Sequence, residues 1–409
     1  MNKPVHAPQR QFPVIDSELQ VGGMPLSRLA ERVGRTPFYA YDRALIGARM
    51  AAVRAALPSE LKLHFSIKAN PMPAVVQHMA GLADGLDVAS GGELDVALDT
   101  GFEAGHISFA GPGKTTAELR RAVAAGVCVN VESTGEIARL ADQADALGMV
   151  PRVVLRVNPD FELKASGMRM GGGAKPFGID AEQIPQAVQQ LRALGIEPLG
   201  FHIFAGSQSL KAEAINEAHA GSVELALRLA DACSFAPRML NLGAGFGIPY
   251  FPGETPLDLA PVGANLAALL PRLREGLGEV RVSLESGRYF VGEAGVYVAR
   301  VIDRKVSRGQ VFLVTDGGLH HHLAASGNFG QVIRKNYPAA IGNRMGVDER
   351  ETVSVVGPLC TPLDVLAERM ALPQAEVGDL VVVFQSGAYG LSASPTAFLG
   401  HPRPAEVLV

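Results

Sequence analysis

The stretch "HFSIKANP", His64–Pro71, decides the architecture, because it reads as a short strand with a lysine near its end. Leu63, Phe65 and Ile67 alternate with His64, Ser66 and Lys68, and successive strand side chains point to opposite faces. The apolar set is expected to meet helices, and the polar set to point into a barrel with Lys68 at its reactive rim. Burial makes a charged amine costly, which is how proteins turn a lysine into a nucleophile for Schiff bases. A rim lysine paired with an acid is the alternative that the strand alone leaves open.

Working outward, one rhythm runs from Tyr39 to about Tyr289: a short β-branched or apolar run, then an Ala/Leu/Glu-rich stretch with helical spacing. Strands are expected at "KLHFSIKA", "GLDVAS", "HISFAG", "VCVNVES", "RVVLRVN", "LGFHIFAG", "MLNLGAG" and "VRVSLES". Several of the intervening helices close on Gly. The fold class is therefore α/β, a (β/α)8 barrel over residues 37–289, with its active site at the C-terminal ends of the strands. A doubly wound open sheet is the competing arrangement. After Tyr289 the segments turn β-rich, so residues 290–409, joined by 1–36 with "FPVIDSELQVGG", are expected to form an all-β sandwich or barrel domain.

A chain of 409 residues suits two domains. Its formal charge of -4 provides no basic field for nucleic acid or an anionic membrane. Cys128, Cys233 and Cys360 are too few and too scattered for a disulfide framework or a CxxC metal site. No apolar run reaches membrane-spanning length, and "MNKPVHAPQRQFPV" lacks the apolar core of a signal peptide. A cytoplasmic enzyme acting on a small molecule is the expectation.

"LNLGAGFGIPY" places Gly243, Gly245 and Gly247 directly after a strand, where backbone can approach an anion and amides can cradle it. Ordinary turn glycines are the alternative. "FAGSQSL" offers Gly206 and Ser207 as a second donor set, and "LESGRY" ends the eighth strand with Glu285 and Arg288. A lysine for a Schiff base, phosphate-cradling glycines and a carboxylate for a pyridinium N–H are together what pyridoxal phosphate needs.

The ordered motifs "SIKAN", "DVASGGEL", "FAGPGK", "RVNP", "GFHIFAGSQ", "GAGFG", "ESGRY", "DGG", "GPLCTPLD" and "SGAYG" resemble those of the fold-type III pyridoxal-phosphate decarboxylases. This is the ornithine/diaminopimelate/arginine decarboxylase group, and the likeness covers essentially the whole chain. The resemblance implies a homodimer with shared active sites, Lys68 as the Schiff-base lysine, and Glu285 at the pyridine nitrogen. It also implies a phosphate site of Ser207, Gly243, Gly245, Arg288 and Tyr389. Cys360 matches the cysteine that the partner subunit donates to protonate the carbanion. From its own surroundings in sequence, a small buried hydrophobe was the simpler reading. Asp87 and Glu93 match positions lining the barrel near the lysine, with structural hydrogen bonding an equal reading.

Departures from the family narrow the substrate. Phe204 stands where relatives stack a histidine on the cofactor ring; it can stack but cannot donate a hydrogen bond. Thr361 follows Cys360 where relatives usually place an acid that grips a distal ammonium, and an unpaired buried ammonium costs several kcal/mol in order of magnitude. Free ornithine, lysine and arginine are disfavoured on that ground. In "DGGLHHHLAASGNFGQVIRKNYP" the consecutive His320, His321 and His322 argue against a three-ligand metal site, leaving substrate contact for His320 or local hydrogen bonding. Arg334 and Tyr337 match substrate-binding positions, and a surface salt bridge is the alternative for Arg334.

With "GMRMGGGAKPFG", these features look like two subgroups: the butirosin-type decarboxylase of a glutamyl group on an acyl carrier protein, and the decarboxylase found with exosortase A and exopolysaccharide systems. The expected function is α-decarboxylation of a diaminopimelate-like, modified or carrier-bound amino acid. An amino-acid racemase on the same fold and a noncatalytic pyridoxal-phosphate binding protein or regulator are the alternatives. Glu285, where racemases use an arginine, opposes the first; the second domain with its cysteine opposes the second.

Overall fold

A computed structural model describes residues 4–161, 168–169 and 171–409. Gly167 and Met170 of "GMRMGGGAKPFG" lie outside the described residues. Eight strands close into a parallel barrel: β1 Lys62–Ser66, β2 Gly85–Val88, β3 Ile107–Phe109, β4 Cys128–Val131, β5 Arg152–Asn158, β6 Gly200–Ile203, β7 Met239–Asn241 and β8 Arg281–Ser286. Each pairs with the next, and β8 returns to β1 with Glu285 opposite His64. Closure rules out the open sheet. Because helices cover one face and side chains fill the other, both faces are buried, which is why these strands read as short apolar runs.

Seven helices follow β1 to β7 in turn: α1 Pro73–Ala80, α2 Gly91–Asp99, α3 Thr116–Ala125, α4 Thr134–Leu147, α5 Ile184–Ala193, α6 Ala212–Ala232 and α7 Ala260–Leu277. Three successive ones open on the same S/T-x-x-E signal. Ser90, Thr115 and Ser133 accept from the backbone N–H of Glu93, Glu118 and Glu136, and Thr115 with Glu118 completes a reciprocal capping box. These caps fix the loops at the barrel's C-terminal mouth, where chemistry is expected.

The chain divides into two compact units, and the division corrects the boundary expected at residue 37. Met50–Ile248 and Leu257–Gly287 form the barrel unit; Met1–Arg49, Pro249–Pro256 and Arg288–Val409 form the other. The reason is strand Phe38–Tyr41, which joins the second unit: it runs antiparallel to Gly295–Ser307 and parallel to Ala405–Leu408. The main sheet continues through Gln310–Thr315, Arg350–Val356 and Val365–Pro373 on one side of Gly295–Ser307, and through Leu380–Val383 and Ala339–Ile341 on the other. Val14–Ile15, Glu18–Val21 and Met24–Pro25 make a small sheet of their own in this unit. Its core gathers Phe12, Leu19, Leu26, Phe38, Val296, Val298 and Val382.

Candidate active site

β1 ends at Ser66, and the chain tightens into a 3₁₀ turn over Ile67–Ala69. Lys68 therefore sits on a turn and not on the strand. Its side chain is 43% exposed, which corrects the expectation of a buried amine, and its Nζ lies 3.7 Å from Glu285 Oε1. Gly287 allows the turn: a Cβ there would come within 2.8 Å of the Ser66 carbonyl oxygen.

Glu285, by contrast, is buried with its side chain 6% exposed. Ser66 Oγ donates to its Oε1 at 3.0 Å, Asn241 Nδ2 donates to Oε2 at 3.3 Å, and His202 Nε2 lies 3.2 Å from Oε2. Burial pushes the carboxyl up, but His202, Lys68 and Arg156 outweigh it and hold the group well below the usual carboxylate range. A carboxylate has about four lone-pair sites. Ser66 and Asn241 take two and His202 Nε2 faces a third at 3.2 Å, which leaves one on Oε1, the oxygen nearer Lys68, for an incoming N–H. His202, Asn241 and Arg156 were missed from sequence. The signal was parity: His202 and Asn241 stand two residues before Phe204 and Gly243, on the same inward face of their strands.

Asp87 is occupied at one oxygen only. Oδ1 accepts from Ser108 Oγ and faces His64 Nδ1 at 3.4 Å, while Oδ2 has no hydrogen-bond partner among the described residues. Burial lowers the His64 pKa, but the Asp87 charge more than compensates and the net shift is upward. Glu93 takes the backbone N–H of Ala89 at 2.8 Å; burial raises its pKa against that bond and Lys68.

In the glycine loop after β7, Gly243 (φ +60°) and Gly245 (φ +78°) adopt the left-handed conformation that favours glycine. The half-buried ring of Phe204 lies directly against Gly243. Gly243 N–H donates to Asn241 Oδ1 at 2.9 Å and Gly247 N–H to Ser209 O at 2.9 Å. Those two amides are thus used by the fold, and the cradle reading narrows to the amides of Ala244 and Gly245. Ser207 is half-buried on a two-residue strand paired with Met168–Arg169. Next to it, Gln208 holds Ile248 through both its amide atoms, at 2.6 and 3.2 Å.

The second unit carries the remaining candidates. Arg288 Nη1 donates to Tyr250 Oη at 2.9 Å, and its guanidinium lies 4.5 Å over the Tyr389 ring. Tyr389 itself holds φ +53°, unusual for a non-glycine residue and often a mark of a functional position. Tyr337 is buried with its ring 4.6 Å from Tyr250. Cys360 is an exposed free thiol, against the buried-hydrophobe reading. Half-buried Thr361 accepts from Leu363 N–H at 3.4 Å.

Asp364, 2% exposed, ties the Cys360 loop to the "DGG" loop by accepting from Leu319 N–H at 2.6 Å and Leu359 N–H at 2.8 Å. His320 and His321 sit in a turn, His322 follows it, and all three are almost wholly buried. His321 Nε2 meets Pro402 O at 2.9 Å and His322 Nε2 meets Ser386 Oγ at 2.9 Å, so local bonding accounts for these two. His320, at 0% exposure, lies against His321 with the rings tilted by 43°; its burial in this chain speaks against the substrate contact expected of it. Arg334 donates to Val365 O and lies 3.9 Å from Glu368, so its tie is to its own unit. Among the described residues no His, Cys, Asp and Glu group could hold a metal, and no helix is long and apolar enough to cross a membrane.

A lysine and a buried, ionised carboxylate at the mouth of a parallel barrel, beside a left-handed glycine loop, are the features of a fold-type III pyridoxal-phosphate enzyme. The chain belongs to the family described as "Pyridoxal-dependent decarboxylase, pyridoxal binding domain", which matches residues 43–292. It is 37% identical to the L-glutamyl-[BtrI acyl-carrier protein] decarboxylase of Niallia circulans, over 91% of this chain and 88% of that protein. It is 33% identical to the diaminopimelate decarboxylase of Archaeoglobus fulgidus, over 97% and 93%. The crystal structure of diaminopimelate decarboxylase from M. jannaschii in complex with L-lysine superimposes with a TM-score of 0.89 at 25% identity, covering 97% of this chain and 92% of that one. The protein is a pyridoxal-phosphate-dependent decarboxylase acting on an amino acid.

Proposed function

We propose that this enzyme decarboxylates an amino acid whose side-chain end is not a free ammonium, with a carrier-bound or otherwise acylated amino acid as the leading candidate. The observation that carries this is Thr361 beside the exposed thiol of Cys360, a neutral hydroxyl in a place where charge recognition would need a carboxylate. The relative named for a glutamyl group on a carrier protein supports the same reading. A diaminopimelate-like substrate is the second reading, favoured by the near-complete coverage of the diaminopimelate decarboxylases.

The residues fit the cofactor through the single open lone pair of Glu285, which suits a ring N–H, and through the amine of Lys68, which suits its aldehyde. When bound, the cofactor supplies an electron sink for the pair left at the substrate Cα as CO2 departs. In this reading Glu285 holds the ring proton, and Phe204 offers a face for stacking. Ser207, Gly243, Gly245, Arg288 and Tyr389 serve the phosphate, Gly243 by its conformation. Asp87, through its unpartnered Oδ2, is kept as a cofactor contact. Cys360, contributed by a second copy of the chain in a homodimer, returns a proton to Cα. Arg334 and Tyr337 are kept as substrate-side candidates, and the cytoplasm is the proposed compartment, with an exopolysaccharide-associated role.

The test follows CO2 release from free glutamate, ornithine, lysine and diaminopimelate and from carrier-bound and acylated amino acids. Turnover confined to the carrier-bound or acylated set is expected. Turnover of ornithine or lysine at ordinary enzyme rates would show that Thr361 does not exclude a distal ammonium.

A further inference from the structure

A line of polar side chains along the barrel wall leads to Glu285 from the "FAGPGK" loop. Lys114, whose side chain is 1% exposed, donates from Nζ to Gly111 O at 2.6 Å and Asn130 O at 2.9 Å, and meets Glu136 Oε1 at 2.8 Å. Two main-chain carbonyls and one carboxylate thus surround this ammonium. Asn130 on β4 gives Lys114 its main-chain carbonyl, and its side-chain Nδ2 lies 3.1 Å from Nδ1 of His202 on β6. His202, 2% exposed, turns its other nitrogen to Glu285 at 3.2 Å.

A neutral imidazole carries its proton on one nitrogen, and the partner of the other nitrogen sets which one. When the Asn130 amide donates to Nδ1, the proton sits on Nε2 and faces Glu285. With Asn130 reversed, a neutral ring would turn a lone pair toward the carboxylate, or the ring would take up a second proton. The surroundings favour the first arrangement. Arg156 is the registered neighbour of His202 on β5, balanced by Glu132 at 2.8 Å, and Lys68 already faces the same carboxylate. A third cation has no unbalanced anion to meet.

We propose that Asn130 is a positioning residue that fixes His202 as an Nε2–H donor and so keeps Glu285 aimed, through its open Oε1 lone pair, at the nitrogen of the cofactor ring. This rests on Glu285 facing that nitrogen, as proposed above. Ser66 donates to Oε1, Asn241 donates to Oε2 at 3.3 Å, and His202 Nε2 faces Oε2 at 3.2 Å. Loss of His202 would leave Oε2 with that single long bond.

The experiment uses holoenzyme reconstituted with pyridoxal phosphate carrying ¹⁵N in the ring, whose chemical shift reports protonation of that nitrogen, together with cofactor affinity by absorbance titration. His202→Leu is expected to move the shift toward the unprotonated ring and to weaken binding roughly 10–100-fold, the usual effect of losing an outer partner of a functional group. His202→Gln, whose amide can still donate, is expected to keep the wild-type shift. Asn130→Asp, which offers only acceptors to Nδ1, is expected to move the ring shift away from its wild-type value. A wild-type shift and affinity in folded His202→Leu would overturn the proposal, provided that Glu285→Gln loses the shift. If Glu285→Gln also keeps it, the reading of Glu285 itself fails. Should His202→Leu not fold, a wild-type ring shift in Asn130→Asp overturns the proposal alone.

Discussion

At Lys68 the half-exposed amine stands 3.7 Å from a carboxylate held ionised against burial. Lys68→Ala is expected to lose the near-visible absorbance band and its reduction by borohydride while remaining folded. A variant that keeps the same reducible band would assign the cofactor to another lysine. At Gly243 the physical demand is different, because the left-handed φ and the ring of Phe204 both exclude a Cβ. Gly243→Ala should destabilise the protein by about 1 kcal/mol or more and lower cofactor affinity. A urea midpoint and a titration equal to wild type would refute that.

Among the elements, the capping box of α3 stands immediately after Lys114 and shapes the same loop. Thr115→Ala should cost about 1 kcal/mol, read as a lower melting temperature, with Arg139 still holding the Lys114 carbonyl at 2.8 Å and the cofactor spectrum unchanged. A changed spectrum would mean that the cap acts on the site. All eight barrel strands were legible, because strands buried on both faces leave contiguous apolar runs whose spacing survives in the sequence. "FYAY" at Phe38–Tyr41 was not legible as a strand of the other unit: it is fully buried like a barrel strand, and its partners lie far away in the chain. The turn under Lys68 was missed because apolar–polar alternation continues through Ile67, so nothing local marks where pairing ends. Lys68, Glu285 and the glycine loop were readable as types, whereas the amides already consumed at Gly243 and Gly247 depend on long-range partners that only the folded chain brings together.

For the molecule as a whole, the buried histidines predict an acid limit. Burial pushes His320 down to about 4 and His321 and His322 down to about 3, from an ordinary value of 6.5. The unfolded chain therefore binds more protons below 6.5, so their contribution to stability is full above that pH and is lost as pH falls toward about 3. Urea midpoints measured against pH should fall in that window, and His322→Gln should flatten the fall. A midpoint independent of pH across it would show that these rings take up protons in the folded chain at the same pH as in the unfolded one.

Strand Phe38–Tyr41 lies between Gly295–Ser307 and Ala405–Leu408. A ribosome makes it before any barrel strand and supplies both its neighbours only after the last of them. Barrel strands β1 to β8 all emerge in between and can pair as they appear. Nascent chains of this enzyme should therefore pass through a long interval in which a buried-type tetrapeptide waits unpaired, a natural point for chaperone attention and for sensitivity to the rate of translation.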